Sequence, residues 1–303
     1  MLKRLLLVAA KDKRLERMVS TNSRMRKLVS RFVAGTTLDE AIVVTKQLNA
    51  RRIDVSLDLL GETVEDLSES AAATDAYIEA VRAIARECPG ATVSVKLSQL
   101  GIGLDPTVAA GHLKNLLEAA DAVGVLVEID MEHSSVGPAE LEAFRDALPQ
   151  YPNTRVAMQA AMRRTPADLT SFTDTKPRIR LVKGAFLETE DAALQDRREV
   201  TAQYLHLTDW ALQNLPDPAF GTHDDRCLER AKESAARLGI DPKNFEFQML
   251  YGVRRDVQQQ LADDGYRVRI YVPYGTQWYP YLMRRMAERP ANLLFFLRSL
   301  ISG

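Results

Sequence analysis

From about residue 53 onward, short runs rich in β-branched and aliphatic residues alternate with longer stretches whose apolar residues recur every three or four positions. The runs are "IDVSLDLL" (53–60), "TVSVKLS" (92–98), "VLVEIDM" (125–131), "RVAMQA" (155–160), "RIRLVKG" (178–184), "PAFGTH" (218–223), "FEFQML" (245–250) and "RVRIYVP" (267–273). Between them, segments such as "TDAYIEAVRAIAREC" and "DRCLERAKESAARLG" carry the helical period and end near Gly or Pro. A strand–helix unit repeated in this way, with no break in composition, predicts one (β/α)8 TIM-type barrel over residues 51–303, closed by a C-terminal helix. Residues 1–50 lack a strand pattern and read as extra N-terminal helices packed on the barrel exterior. In such a barrel the reactive groups belong at the C-terminal ends of the strands. There the chain offers Asp58, Glu62, Lys96, Asp130, Glu132, His133, Gln159, Arg163, Lys183, Thr222, His223, Asp224, Gln248 and Tyr271. Barrel interiors are usually filled by Val, Ile and Leu, so polar residues near the exits are expected to mark the mouth.

Composition narrows the function without naming it. The 303 residues are 46% hydrophobic and 27% charged, the balance of a globular protein. Lys and Arg number 40 against 41 Asp and Glu, so no global field favours nucleic acid or an acidic membrane. Two cysteines, Cys88 and Cys227, with no CxxC, point to a reducing cytoplasm and away from a disulfide framework or a cysteine-type zinc site. The apolar runs "LLLVAA" (5–10) and "LLFFLRSLI" (293–301) are too short to span a bilayer. They read as packed against the body of the protein, with an amphipathic patch at the inner face of the cell membrane as the alternative.

Several constellations carry possible chemistry. In "IRLVKGAF" alternation puts Arg180 and Val182 on one side of a strand and Leu181 and Lys183 on the other. A basic residue inside a barrel strand is costly unless it meets an anion or a polar cofactor. A lysine at a strand exit can form a Schiff base or hold a phosphate. Lys96 on the second strand is near enough in barrel order to pair with Asp130, with Glu128 on the same side as Asp130. A carboxylate–histidine metal site built from Glu128, Asp130, Glu246 and His223 is conceivable but lacks the HxH that metal-dependent barrels usually carry. "GIGLDP" (101–106) begins like a dinucleotide fingerprint but has Pro where the third Gly belongs. In "GTQWYPYLMRRMAERPAN" (275–292), Tyr281, Arg284, Arg285 and Glu288 share one helical face opposite Leu282, Met283, Met286 and Ala287. That polar face is either a solvated ion-pair strip or a site for an anion.

Taken in order, "SVKLSQLG", "EIDME", "RLVKGAFLE", "FGTHDD", "FEFQMLYG" and "RVRIYVPYGTQWYPYLMRRMAERPAN" resemble the motifs of the proline dehydrogenases, over roughly residues 50–292. The length is similar to that of the single-function bacterial form. The resemblance implies a distorted (β/α)8 barrel holding FAD and oxidising L-proline to Δ1-pyrroline-5-carboxylate by hydride transfer from C5 to flavin N5. It also implies a membrane quinone as electron acceptor and a pyrroline-5-carboxylate dehydrogenase as a possible partner. By position, Lys96, Arg284 and Arg285 would bind the proline carboxylate, Asp130 would support Lys96, and Glu288 would pair with the arginines. Tyr271, Tyr281 and Leu250 would enclose the pyrrolidine ring. Arg180 would lie beside flavin N5, and Gln159, Val182, Lys183, Gly184, Ala185, Thr222 and His223 would contact the flavin, with Asp130 at the boundary. No metal is implied. One position departs from the family: Phe186 stands where its members usually have the tyrosine of KGAY. Two rivals stay open, a Schiff-base lyase using Lys183 and a proline-sensing module without turnover.

Overall fold

The computed structural model describes residues 29–61 and 64–288, with side chains placed as far as Arg285. Eight parallel strands close in sequence order. They are β1 (Asp54–Leu59), β2 (Thr92–Val95), β3 (Val127–Ile129), β4 (Thr154–Gln159), β5 (Arg178–Val182), β6 (Ala219–Gly221), β7 (Glu246–Leu250) and β8 (Arg267–Tyr274). Helix α1 (Leu38–Asn49) precedes the barrel, and α2 (Leu67–Glu87), α3 (Pro106–Asp121), α4 (Gly137–Ala147), α5 (Thr165–Thr170), α6 (Arg197–Asn214), α7 (Asp225–Leu238) and α8 (Arg255–Asp263) follow successive strands. Helix α9 (Trp278–Glu288) follows β8 after a short turn. The last pairing, β8 with β1, joins Asp54 to Arg269 and continues to Leu59 opposite Tyr274, which shuts the ring. The expected runs thus sit within a residue or a few of the strands. Most of the segment 1–50, Glu62 and the run 293–301 lie outside the described residues.

Local chemistry explains the boundaries. Thr37 and Glu40 form a reciprocal capping box at the start of α1, Thr37 N donating to Glu40 Oε2 over 3.2 Å and Glu40 N to Thr37 Oγ1 over 3.3 Å. Aspartates cap α2, α3, α6 and α7 (Asp66, Asp105, Asp196, Asp224) by accepting first-turn N–H groups. Gly239 ends α7 in the left-handed region, where a side chain would be strained.

The hydrophobic core is a sleeve between strands and helices. Val55, Leu57, Val93, Val95, Val127, Ile129, Ile179, Leu181, Phe247 and Ile270 face outward into it and are essentially buried. Their alternates face the barrel lumen, which departs from the aliphatic filling that was expected. Glu128, Arg155, Arg180, Glu246, Gln248 and Arg269 are all buried there. Across the lumen Arg155 Nη1 donates to Glu246 Oε1 over 3.0 Å, and Gln248 Nε2 reaches Glu128 over 2.9 Å and Glu246 over 2.8 Å. Arg269 Nε donates to the same Glu246 oxygen over 3.0 Å. Burial pushes Glu128 and Glu246 upward, but the surrounding arginines outweigh it and hold both carboxyls below their ordinary range. A lumen of ion pairs costs desolvation that Val or Leu would avoid. Its polarity therefore runs the depth of the barrel and does not by itself mark the mouth.

Candidate active site

At the C-terminal end of the lumen the polar network comes within reach of solvent. Lys96 leaves the end of β2, and its Nζ donates to Asp58 Oδ1 of β1. The same nitrogen lies 3.5 Å from Asp130 Oδ2 and 3.2 Å from the Tyr271 hydroxyl. Tyr271 donates to Asp130 Oδ2 over 2.7 Å, and Ser94 donates to Asp130 Oδ1 over 2.7 Å. Arg180 Nη2 also donates to Asp130, while its Nη1 reaches Glu128 over 3.3 Å and Gln248 over 3.4 Å. Strands β1, β2, β3, β5, β7 and β8 thus converge on one cluster, with Arg180 only 5% exposed beneath it and Lys96 and Tyr271 half-buried at its rim.

The electrostatics follow from this packing. Burial pushes the Asp130 carboxyl up, but Arg180 and then Lys96 overcome it and hold it at about 2. Burial lowers Lys96, and Asp58 followed by Asp130 more than restores it, leaving an ammonium with a raised pKa. The Tyr271 phenol is driven well up by burial and by Asp130, so it stays a hydrogen-bond donor. Two fixed cations, Lys96 and Arg180, thus stand among the carboxylates of Asp58, Asp130 and Glu128, with the neutral Tyr271 phenol between them.

The remaining predicted residues fall into three groups. Gln159, Val182 and Gly221 are level across β4, β5 and β6. Gly184 follows at φ 105°, where an added Cβ would stand 2.9 Å from Gln159 Oε1 and 3.1 Å from Ala161 Cβ. Gln159 Nε2 donates to the Glu132 carbonyl over 2.8 Å, which ties this rim to the loop after β3. Ala185 is exposed, Thr222 is buried, and His223 Nε2 accepts the Leu250 N–H over 2.9 Å, bringing the β6 and β7 exits together. In neutral His223 that acceptor role puts the proton on Nδ1.

Lys183 points away from the lumen, as alternation requires. Its Nζ donates to Asp224 Oδ2 over 2.7 Å and to Thr201 Oγ1 of α6 over 2.9 Å. That position removes the geometric basis for a Schiff-base lyase in the barrel mouth. The conceived metal site also dissolves: Glu128 and Glu246 are committed to arginines, and His223 to the Leu250 amide. Among the described residues, no cluster of His, Cys, Asp and Glu is arranged for a metal ion.

Helix α9 starts at the exit of β8, where the arginine pair was expected. Arg284 is exposed, and the half-buried Arg285 guanidinium lies 5.2 Å from the Tyr281 ring centroid. The division into one polar and one apolar face needs correction, because Tyr281, Leu282 and Met283 are all buried. Three consecutive helical residues cover about 200° of the helix circumference, so burial extends well beyond one stripe. The Glu288 side chain lies outside the described residues. Phe186 is 45% exposed and packs edge-on against His133 at 5.6 Å.

The arrangement also holds residues to which the family resemblance gave no role. Asp58, Ser94, Glu128 and Gln248 touch Lys96, Asp130 or Arg180 directly. Their signal was the period-two recurrence of polar residues within otherwise apolar strands. A separate wide cleft of about 1080 Å³ opens at the opposite end of the barrel, lined among others by Arg178, Asp217, Lys243 and Arg267, and it contains none of the predicted site residues.

Comparison with known proteins now bears on this mouth. The sequence model of the family described as proline dehydrogenase matches residues 41–298. The chain belongs to the proline dehydrogenase family. It is 37% identical over 271 residues to Proline dehydrogenase 1 of Bacillus subtilis strain 168, covering 89% of this chain and 90% of that protein. It is 35% identical to the Proline dehydrogenase of Deinococcus radiodurans, covering 92% of each. Its fold is similar to the crystal structure of proline utilization A (PutA) from Bdellovibrio bacteriovorus inactivated by N-propargylglycine, with a TM-score of 0.82 and 26% identity. The match covers 87% of this chain but about a third, 33%, of that longer one. The enzyme is therefore a proline dehydrogenase with a barrel of the PutA type, and as a member of this family it uses a flavin. No helix among the described residues is long and apolar enough to cross a membrane.

Proposed function

We propose that the enzyme binds FAD and oxidises L-proline to Δ1-pyrroline-5-carboxylate, passing the electrons to a membrane quinone. The observation that carries this reading is the Lys96–Asp130–Arg180 cluster joined by Tyr271 at the barrel exit. Bound flavin supplies the acceptor for the hydride lost from C5 of proline. The chain's own residues supply binding, orientation and fixed charge. Lys96, Arg284 and Arg285 take the carboxylate, the arginines through forked donors that match its two oxygens. Glu288 orients those arginines, and Leu250, Tyr271 and Tyr281 exclude water around the ring. The donor set of the opposite rim fits a flavin. Gly184 leaves a space that a Cβ would crowd against Gln159, and Arg180 would set its permanent positive charge beside a cofactor that accumulates negative charge on reduction. Gln159, Val182, Lys183, Gly184, Ala185, Thr222 and His223 would hold the cofactor, with Asp130 anchoring Arg180 beside it. Proline oxidation by this arrangement needs no nucleophile and no metal.

The acceptor side of the reading places the enzyme in the cytoplasm, peripheral at the inner face of the cell membrane through the apolar run 293–301. A pyrroline-5-carboxylate dehydrogenase would consume the product. The test is anaerobic. Purified enzyme should show flavin absorption that L-proline bleaches, heat-released cofactor should co-migrate with FAD, and the product should trap as an o-aminobenzaldehyde adduct. Release of FMN would refute the FAD assignment, and failure of L-proline to bleach the flavin would favour a proline-sensing module. Reduction of a quinone in liposomes, compared with reduction of a soluble dye by enzyme lacking 293–301, tests the acceptor. Equal quinone rates with and without the run would remove its membrane role.

A further inference from the structure

The carboxylate in closest contact with the Lys96 ammonium is Asp58, a residue to which the family pattern gave no part above. Asp58 lies near the exit of β1, level with Ser94 of β2 and Pro273 of β8. Its side chain is 1% exposed, against 20% for Lys96 and 13% for Asp130. Lys96 Nζ donates to Asp58 Oδ1, whereas Asp130 Oδ2 stands 3.5 Å away. Asp130 has other obligations: Arg180 and Ser94 occupy its Oδ1, and Tyr271 occupies its Oδ2 at 2.7 Å. The two carboxylates thus divide the two cations between them. Asp130 serves Arg180, Asp58 serves Lys96, and the Tyr271 hydroxyl links the two pairs.

We infer that Asp58 is a positioning residue for substrate binding, its carboxylate holding the Lys96 ammonium charged and aimed into the barrel mouth. The inference rests on the proposed contact between Lys96 and the proline carboxylate. A lysine offers a strongly hydrated point charge on a flexible four-carbon stem, and once mostly buried it loses its proton readily unless an anion stays beside it. The groups facing Lys96 are Asp58 from β1, Asp130 and Glu132 from the end of β3 and its loop, and Tyr271 from β8. Asp58 in turn faces Lys96, Asp130 and the phenols of Tyr77, Tyr271 and Tyr274. Glu132 is committed to the Ser98 amide and hydroxyl, at 3.0 and 2.8 Å. Without Asp58, Lys96 would keep, among the described residues, only the shared Asp130 as a near counter-charge. It would then become both less fixed in direction and easier to deprotonate.

Asp58→Asn keeps the shape and removes the charge. The expected result is a KM for L-proline raised about ten- to a hundredfold at neutral pH, as for loss of a hydrogen bond to a charged group, with kcat changing far less and flavin content preserved. The KM of Asp58→Asn should climb further as pH rises above neutral, where the unaltered enzyme stays flat, because Lys96 then titrates within the assay range. Packing loss alone would not produce that pH drift. Asp58→Glu retains the anion, so it should show a displaced KM without the drift, and it carries the test if the amide variant does not fold; a drift in Asp58→Glu overturns the inference. Lys96→Met, measured alongside, separates the two levels of the argument. If Lys96→Met raises KM and Asp58→Asn leaves it unchanged, or raises it with no pH drift, the role of Asp58 is wrong while that of Lys96 stands. If Lys96→Met leaves KM unchanged, the contact between Lys96 and the substrate fails and takes the inference with it.

Discussion

Replacing Glu140 by Gln should make the enzyme more stable, and increasingly so as pH rises. Glu140 lies on α4 with its residue fully buried, one oxygen accepting the Glu132 N–H over 3.0 Å and the other with no hydrogen-bond partner among the described residues. Burial is the main cause that drives its carboxyl up from 4.5 to about 9, with the neighbouring Glu132 carboxylate adding to the rise. The folded state therefore holds a proton there that the unfolded chain releases near its ordinary pKa. By linkage, stability is fully present below the unfolded value of 4.5 and falls as pH climbs from there toward about 9, where it levels off. At about 1.4 kcal/mol per unit, the roughly 2.5 units between 4.5 and pH 7 amount to about 3 kcal/mol lost to holding the acid neutral. An amide has the same shape. It can accept from Glu132 N and donate to the Glu132 carboxylate without carrying a titrating proton. Glu140→Gln should therefore match the unaltered enzyme near pH 5 and exceed it by about 2–3 kcal/mol near pH 7, which at about 2 °C per kcal/mol is a rise in Tm of about 4–6 °C. Differential scanning calorimetry across that pH range checks it. A Tm difference that is flat with pH, or an amide variant that melts lower near pH 7, would refute the reasoning.

Further outcomes follow from the same structure. Arg284→Met and Arg285→Met should each lower kcat/KM for L-proline about ten- to a hundredfold with flavin content retained, Arg285→Lys recovering only part of the loss; unchanged kcat/KM in both methionine variants would leave the pair as a surface strip. Arg180→Met removes the partner of Asp130 and Glu128, so it should lower the flavin potential, slow reduction by proline and cost about 3–5 kcal/mol of stability by denaturant titration, whereas a wild-type potential would separate Arg180 from the cofactor. Tyr271→Ser should narrow the preference for L-proline over trans-4-hydroxy-L-proline, and equal kcat/KM for the two substrates in the unaltered enzyme would defeat the idea that this ring walls off C4. Phe186→Tyr, at an exposed ring beside His133, should change kcat/KM by less than about threefold, and a larger gain would put that ring in the substrate wall.

The period-two runs and the helical stretches between them were enough to specify a closed eight-stranded barrel, because each strand must bury one apolar face against a helix and parallel neighbours require those crossovers. Alternation put Lys183 and Arg180 on opposite sides of β5, as they lie, without saying which of the two sides faces the lumen. The pairing of Lys96 with Asp130 was also legible, since their strands are neighbours. Alternation could not say which of several polar alternates would meet across the lumen. Arg155 and Glu246 are 91 positions apart, and Lys96 and Tyr271 are 175 apart. Those meetings depend on strand stagger and on closure of β8 against β1, neither of which is encoded locally. Neighbouring strands put both Asp58 and Asp130 within reach of Lys96, and only the packed lumen gave Asp130 to Arg180 across the barrel. Helix α9 shows the converse limit. Its hydrophobic pattern sorted residues by polarity, yet burial of Tyr281 beside Leu282 and Met283 was decided by what surrounds the helix at the barrel exit. Sequence set which side of each element could be polar; the closed tertiary structure chose the partners, because in a buried lumen every charge must find its counter-charge within a few ångströms.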